Sequence, residues 1–411
     1  MTALRVNADR LRADLAELAT IGAHPDGGIN RTAFSFADSL ARQWYHDHCA
    51  AAGLDLRCDG LGNMVARVPH PSDLPPVWTG SHIDTVPFGG AFDGALGTVA
   101  ALECARRIAE SGVATHRPVG AVVFADEEGH YGHLLGSRGL SHGYTADQLA
   151  ALTGRDGDRL TDALAGWPWA DGAPTATRLA PDSVHAFVEL HIEQGPKLAA
   201  SGTQIGVVTS IVGLGGAVVD FTGRADHAGT TPMALRSDAL LAAAAYLTEL
   251  PGIATATGPD SVVTCGLLRV APGGANVVPG LASVTLDFRD PDAGRLATLE
   301  RELAGLAERI GRAHGVDATW RPDESIDPMP MTGSIRDLIT RSAHDLGLTT
   351  VAMPSGAGHD SQNMAHLVPT GMIFVPSKDG RSHSPAEYTD FADVERGANV
   401  LLSTVLALAA G

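Results

Sequence analysis

Three apolar runs that each stop at chemistry-bearing residues constrain this chain more than anything else in it. The run 77–83 carries His82 and meets Asp84, the run 119–125 ends at Asp126-Glu127-Glu128, and the run 184–192 holds Glu189 and His191 near its end. Short apolar runs bounded by turn residues read as buried strands, and 97–109, between the first two, reads as a helix. Strands alternating with helices specify an α/β sheet, in which ligands collect beyond the carboxyl ends of the strands. Polar residues at three such ends predict a site there.

The middle of the chain follows a different rule. Segments 217–222, 262–270, 281–289 and 316–321 read as strands, and 236–250 and 293–314 as helices. The order β-α-β-β-α-β is the split arrangement of a ferredoxin-like domain. A helix at 335–346 and a strand at 371–375 then resume the first pattern. A length of 411 residues suits two domains. The reading is an α/β catalytic domain over 1–212 and 329–411, interrupted by an inserted domain over 213–328. The segment 154–181 reads as a long irregular connection.

Charge narrows the partners. Twenty-nine basic against 47 acidic residues leave a net −18, which argues against nucleic acid and anionic membrane surfaces. The four cysteines show no CxxC pairing and read as scattered reduced thiols of a cytoplasmic protein. Residues 1–22 form a charged amphipathic segment unlike a signal peptide, and no uncharged run approaches the roughly 20 apolar residues of a membrane span.

His82 and Asp93 lie in Gly80-Ser81-His82-Ile83-Asp84-Thr85 and Gly89-Gly90-Ala91-Phe92-Asp93-Gly94. Both can ligate a metal, and Asp84 is spaced to hold the second nitrogen of the His82 ring. A satisfied histidine and two turn aspartates explain the pair equally well until further donors are counted. Those follow in Asp126-Glu127-Glu128, in Glu189-Leu190-His191-Ile192-Glu193-Gln194, and in Arg381-Ser382-His383-Ser384-Pro385-Ala386-Glu387. A shared two-metal site needs about five or six ligands with a bridging carboxylate. His82, Asp93, Glu128, His191 and His383 form such a set, and its nitrogen and oxygen donors accept zinc, manganese or cobalt. In the acidic run, one glutamate ligates and its neighbour moves a proton.

These motifs resemble those of the amidase/hydantoinase/carbamoylase family, within the aminoacylase-type metallopeptidases. The resemblance takes in Gly27-Gly28 with Arg31 and Trp44, Asp59 to Asn63, His82 to Gly97, and His191 to Pro196. It continues through His227-Ala228-Gly229-Thr230-Thr231-Pro232-Met233, Asn276, Asp287-Phe288-Arg289 and His383 to Glu387. It implies a mixed-sheet dinuclear metallohydrolase domain with an inserted lid and dimerisation domain, and two divalent ions per subunit. It further implies that Asp93 bridges the ions, with His82 and His191 on one and Glu128 and His383 on the other. Glu127 would be the general base, and Gln194, His227, Asn276 and Arg289 would face the substrate. The implied reaction is hydrolysis of small N-carbamoyl-L-amino acids to amino acid, carbon dioxide and ammonia, in a homodimer. Allantoate and 3-ureidopropionate are the neighbouring substrates.

Three readings of single residues accompany this. Val284, Leu286 and Phe288 alternate inward, so Asp287 and Arg289 share the opposite face. Arg289 there suits bidentate capture of a carboxylate, or else an ion pair with Asp287 or Asp290. A donor at His227 suits a developing oxyanion. His359, with Asp360, suits a pocket wall, or else Asp360 caps a helix. His46, His48, His116, His130, His133, His185 and His366 read as structural or surface residues. Relatives usually carry Gly-Ser-Arg-Phe where this chain has Gly129-His130-Tyr131-Gly132-His133, so substrate identity is the open question.

Overall fold

A computed structural model describes residues 4–323 and 325–411; residues 1–3 of the amphipathic segment and Glu324 of the inserted stretch lie outside it. The chain divides into two compact units, 1–209 with 330–353 and 358–411, and 210–329 with 354–357.

The first unit is built on a mixed sheet of nine strands. Seven run in the order Asp55–Cys58, Met64–Arg67, Val119–Phe124, Val77–His82, Ala186–Ile192, Thr370–Val375 and Ile205–Ile211. The middle four of these are mutually parallel. Their neighbours Met64–Arg67 and Ile205–Ile211 are antiparallel. Each of the four central strands is buried along its whole length. That explains their near-continuous apolar sequence, because both faces are covered. Alternate residues divide between two cores. Val77, Val119, Ala121, Val123, Val188 and Leu190 pack with the helices Ala8–Leu18, Ala95–Ser111, Gly333–Asp345 and Phe391–Ala409. Trp78, Val122, Phe124 and Phe187 pack on the other face with Leu140 and Met364, from the short helices Leu135–Ser141 and Asp360–Met364.

The parity of this alternation places chemistry. Trp78 is paired with Phe187 across the parallel ladder. Two steps of two residues further on, the same parity carries His82 and His191 onto the face of Phe187, at adjacent strand ends. The segment read as an irregular connection, 154–181, contains the helix Leu160–Ala165 and a 3-10 turn at Pro174–Ala176. Leu160 and Leu164 anchor that helix in a small apolar cluster with Leu61, Tyr131, Leu135 and Leu149. The signal was weak because only two residues of one turn-and-a-half helix face inward.

The second unit has the antiparallel sheet order Asp317–Pro322, Gly213–Thr222, Leu281–Asp290, Val262–Ala271, with helices Ala239–Thr257 and Ala293–His314. This is the ferredoxin-like order read from the sequence. Val219, Phe221, Val284, Leu286 and Phe288 meet Tyr246, Leu250, Leu299 and Leu303 in its core. Ala239–Thr257 is long and apolar enough, by length and composition, to cross a membrane. Glu249 and Pro251 interrupt it, and Ala239, Ala242, Ala243, Tyr246 and Leu250 are buried in the core.

One buried ion pair fixes where the acidic turn begins. Arg42 and Asp38, one turn apart on the helix Phe36–Ala51, are both fully buried and bonded at 2.9 Å. Arg42 also donates to the carbonyl oxygens of Gly62 and, at 3.5 Å, Phe124. Asp38 accepts the Phe34 N–H at 2.8 Å. Removing one partner of a buried pair leaves an uncompensated charge and costs about 3–5 kcal/mol. Asp38→Ala is therefore expected to lower unfolding stability by about that amount in chemical denaturation; a loss near zero would mean that Arg42 finds another anion.

Candidate metal centre

The four central parallel strands end side by side, and each ends in donors. His82 is the last residue of its strand, and His191 is the last but one of its own. Val119–Phe124 opens into Ala125-Asp126-Glu127-Glu128, and Thr370–Val375 leads through Ser377 to Ser382 and His383. Asp93 comes from the loop between the His82 strand and the helix Ala95–Ser111. Gly94 follows it with φ +62°, and a Cβ there would lie 2.3 Å from the His82 ring. Only glycine lets that helix start against the imidazole.

Asp93 collects the donors. Its Oδ1 is 3.1 Å from His191 Nε2 and 3.7 Å from His82 Nε2. Its Oδ2 is 3.2 Å from His383 Nε2, which is itself 3.5 Å from Glu128 Oε2. Two groups of potential ligands result, His82–Asp93–His191 and Asp93–Glu128–His383, sharing the aspartate. The tautomers decide what these distances mean. His82 Nδ1 donates to the Asp84 carbonyl at 3.0 Å and His191 Nδ1 to the Ile192 carbonyl at 2.9 Å. With Nδ1 so engaged, each ring presents its Nε2 to the Asp93 carboxylate, and as a neutral ring it would offer a bound cation its lone pair there. Two bonds of about 2.0–2.2 Å at a tetrahedral angle put donor atoms roughly 3.3–3.6 Å apart, close to the 3.1–3.7 Å found, so the residues present fit a divalent ion in each group.

The Asp84 carboxylate does not hold the His82 ring as the sequence suggested. Its Oδ1 is 3.8 Å from Nδ1, and its Oδ2 instead accepts the Glu128 N–H at 3.1 Å. Asp84 thus ties the His82 loop to the acidic turn. Glu387, in the His383 motif, was missed as a participant. Its Oε1 accepts the N–H groups of Phe92 and Asp93 at 2.8 and 3.0 Å, and its Oε2 accepts the Ser382 hydroxyl. Ser382 Oγ also lies 2.9 Å from Asp93 Oδ2. Gln194 was read as facing substrate; its Nε2 donates to Asp93 Oδ2 at 2.8 Å, and among the described residues its buried Oε1 has no hydrogen-bond partner.

Burial and like charge shape the titration of the cluster. Burial, with Glu128 beside it, raises the Glu127 carboxyl well above its ordinary value. Burial and Asp93 push Glu128 up to about 8. Burial lowers His82 to about 4. Burial also opposes charge on His191, but the Asp93 carboxylate outweighs it and raises that ring to about 9. Carboxyls this costly to ionise favour a cation among them, and a carboxyl with a raised pKa suits proton transfer near neutrality. Glu127 Oε2 lies 3.6 Å from His82 Nε2, beside the ligand groups. Asp126, Gln194 and His383 all have positive φ, at 51°, 58° and 53°. Such non-glycine conformations cost energy and persist where the surroundings over-determine them.

His359 is buried, and its ring meets the His191 ring edge-on with centroids 4.4 Å apart. Asp360 does not cap a helix. His359 holds the N-cap position, no side-chain cap bond forms, and Asp360 is the buried first residue of Asp360–Met364. His133, read as structural or surface, has a structural bond to the acidic turn: its Nδ1 donates to the Glu127 carbonyl at 2.9 Å.

His227, Asn276 and Arg289 belong to the second unit. His227 pairs with Val277 on a two-stranded ladder, and the Ala228 N–H donates to the Asn276 carbonyl at 2.9 Å, so the two residues are neighbours. The exposed His227 ring accepts the Gly229 and Thr230 N–H groups on Nδ1 at 3.0 and 3.2 Å, which leaves the proton on Nε2. Arg289 makes the ion pair weighed against carboxylate capture. It grips Asp287 through Nε at 2.9 Å and Nη2 at 3.1 Å, and donates through Nη1 to the Gly356 carbonyl. A guanidinium has five N–H donors, so with three engaged, one remains on each terminal nitrogen.

Comparison with known proteins agrees with this architecture. Residues 78–407 match the model of peptidase family M20/M25/M40. The chain is 37% identical to an N-carbamoyl-L-amino-acid amidohydrolase of Paenarthrobacter aurescens, over 99% of this chain and all of the relative. It is 38% identical to an N-carbamoyl-L-amino acid amidohydrolase of Geobacillus stearothermophilus, with the same coverage. It is 34% identical to the allantoate amidohydrolase of Escherichia coli, over 95% of this chain and 96% of the relative. A solved amidase of the hydantoinase/carbamoylase family from Burkholderia multivorans superposes with a TM-score of 0.93 at 35% identity, covering 99% of each chain. On the strand-end donors, the mixed α/β fold and full-length similarity to amidohydrolases, the chain belongs to the M20/M25/M40 peptidase family, in its hydantoinase/carbamoylase branch.

Proposed function

We propose that this chain is an amidohydrolase that cleaves the ureido C–N bond of small N-carbamoyl-L-amino acids, giving amino acid, carbon dioxide and ammonia. The observation that carries the reading is the pair of ligand groups sharing Asp93, with the high-pKa carboxyl of Glu127 beside them. His82 and His191 would hold one divalent ion, Glu128 and His383 the other, and Asp93 both. Zinc, manganese and cobalt all suit these donors. When bound, such ions polarise a carbonyl and make hydroxide available near neutral pH.

The rest is done by side chains. Glu127 takes the proton of the attacking water and returns it to the leaving nitrogen. His227, with its proton on Nε2, is the donor for the developing oxyanion. The two uncommitted N–H groups of Arg289 and the Asn276 amide take the substrate carboxylate. Gln194 keeps Asp93 aligned and offers its Oε1 to a substrate N–H. His359 is a wall of the pocket. The second unit is read as a lid and dimerisation domain. Its edge strand Val262–Ala271 is solvent-exposed at Val262, Leu267 and Leu268, which suits pairing with a second copy. The homodimer is read as cytoplasmic, with neither nucleic acid nor membrane as partner.

A second reading, hydrolysis of allantoate, is favoured by the relative of that name and by the altered segment Gly129–His133. Turnover of N-carbamoyl-L-amino acids, allantoate, 3-ureidopropionate and N-acyl amino acids with added Mn²⁺, Co²⁺ or Zn²⁺ separates the readings. The first expects the highest kcat/KM on an N-carbamoyl-L-amino acid, and preference for allantoate overturns it.

Two variants test the roles. Glu127→Gln should keep its metal and lose about 10²–10⁴ in kcat; a change within about threefold removes Glu127 as the base. Glu387→Ala should weaken metal binding about 10–100-fold through the loosened Asp93 loop. Unchanged affinity in a chelator competition would show that Asp93 is held without it.

A further inference from the structure

The turn that carries Glu127 and Glu128 is gripped from outside by a surface hairpin. Inside the turn, Asp126 accepts the N–H groups of His130, Tyr131 and Gly132 at 2.6, 2.9 and 3.0 Å. Outside it, Thr153 and Arg159 bridge, and the Gly154 N–H donates to the Asp158 carbonyl at 2.7 Å, closing a tight loop. That loop reaches the turn at two points. The Tyr131 hydroxyl donates to Asp158 Oδ2, and Arg155 Nη2 donates to the Glu128 carbonyl at 3.0 Å. The approach is close: a Cβ on Gly154 would lie 2.4 Å from Asp158 Oδ1 and 2.9 Å from His130 Nε2. Tyr131 therefore holds the turn twice, through its backbone to Asp126 and through its phenol to the hairpin.

We infer that the hairpin 153–159 is a clamp on the acidic turn, with Tyr131, Asp158 and Arg155 as positioning residues for Glu127 and Glu128. The grip falls on the backbone of Glu128, so its loss would be felt first by the ion that Glu128 and His383 hold, and less by the one between His82 and His191. The inference rests on the assignment of Glu128 as a ligand.

The test uses the full-length protein with Tyr131→Phe, Arg155→Ala and the double variant, and Glu128→Ala as control. Outer partners of metal ligands are typically worth 10–100-fold in affinity, and the indirect grip here places the expectation at the lower end. Each single variant should bind one of its two Zn²⁺ ions about tenfold more weakly in a chelator competition, with the other unchanged. Backbone hydrogen exchange over 127–132 should accelerate about as much, and the double variant should be little worse than either single one, because both contacts serve one hairpin. Asp158→Ala, at the half-exposed end of the contact, removes the acceptor and repeats the test if Tyr131→Phe does not fold. Wild-type affinity and exchange in all variants overturn the clamp, as does equal weakening of both ions with a lowered Tm. Glu128→Ala that keeps both ions at full affinity overturns the ligand assignment itself, and the clamp with it.

Discussion

Everything in the first unit is arranged around the fact that Asp93 faces imidazole Nε2 atoms with both of its oxygens. Backbone carbonyls engage Nδ1 of His82 and His191 and turn Nε2 inward, and His383 approaches the other oxygen with Glu128 beside it. A buried carboxylate ringed by other carboxyls costs free energy unless protons or a bound cation lie among them. The parallel sheet makes this convergence possible, since four adjacent strands that end together deliver four sets of side chains within a few ångströms.

Holding that cluster takes polar groups that touch no substrate. Glu387 reaches back nearly the length of the chain to fix the amides of Phe92 and Asp93, and Asp84 binds the amide of Glu128. Arg42, neutralised by Asp38, holds the carbonyl at the end of the Phe124 strand. The strained φ values at Asp126, Gln194 and His383 survive because these bonds over-determine the loops. The cost is a dense set of buried carboxyls, several of them raised in pKa by burial and by one another.

Strand ends were legible because a fully buried strand must be apolar throughout, so His82, the acidic run and His191 stand out where the apolar run stops. The ferredoxin-like unit was legible for a related reason: the strands 217–222 and 281–289 alternate with period two, one helix is rich in alanine and leucine, and the other carries an apolar stripe. What could not be read was which backbone group a side chain engages. The Asp84 backbone, rather than its carboxylate, holds His82, because two residues past a strand end the carbonyl is nearer than the side chain. Glu387 and the hairpin 153–159 act through backbone amides and carbonyls, and sequence carries no mark of which amide a carboxylate will find.

The central claim is that one aspartate serves two ions, and metal stoichiometry tests it most directly. Chains freed of metal, reloaded with Zn²⁺ and desalted should hold two ions per subunit. His82→Ala should hold one, and Asp93→Ala should hold none at concentrations that saturate the parent protein. Asp93→Ala that still carries one tightly held ion would contradict the shared site, for it would show that one ligand group closes without the bridge.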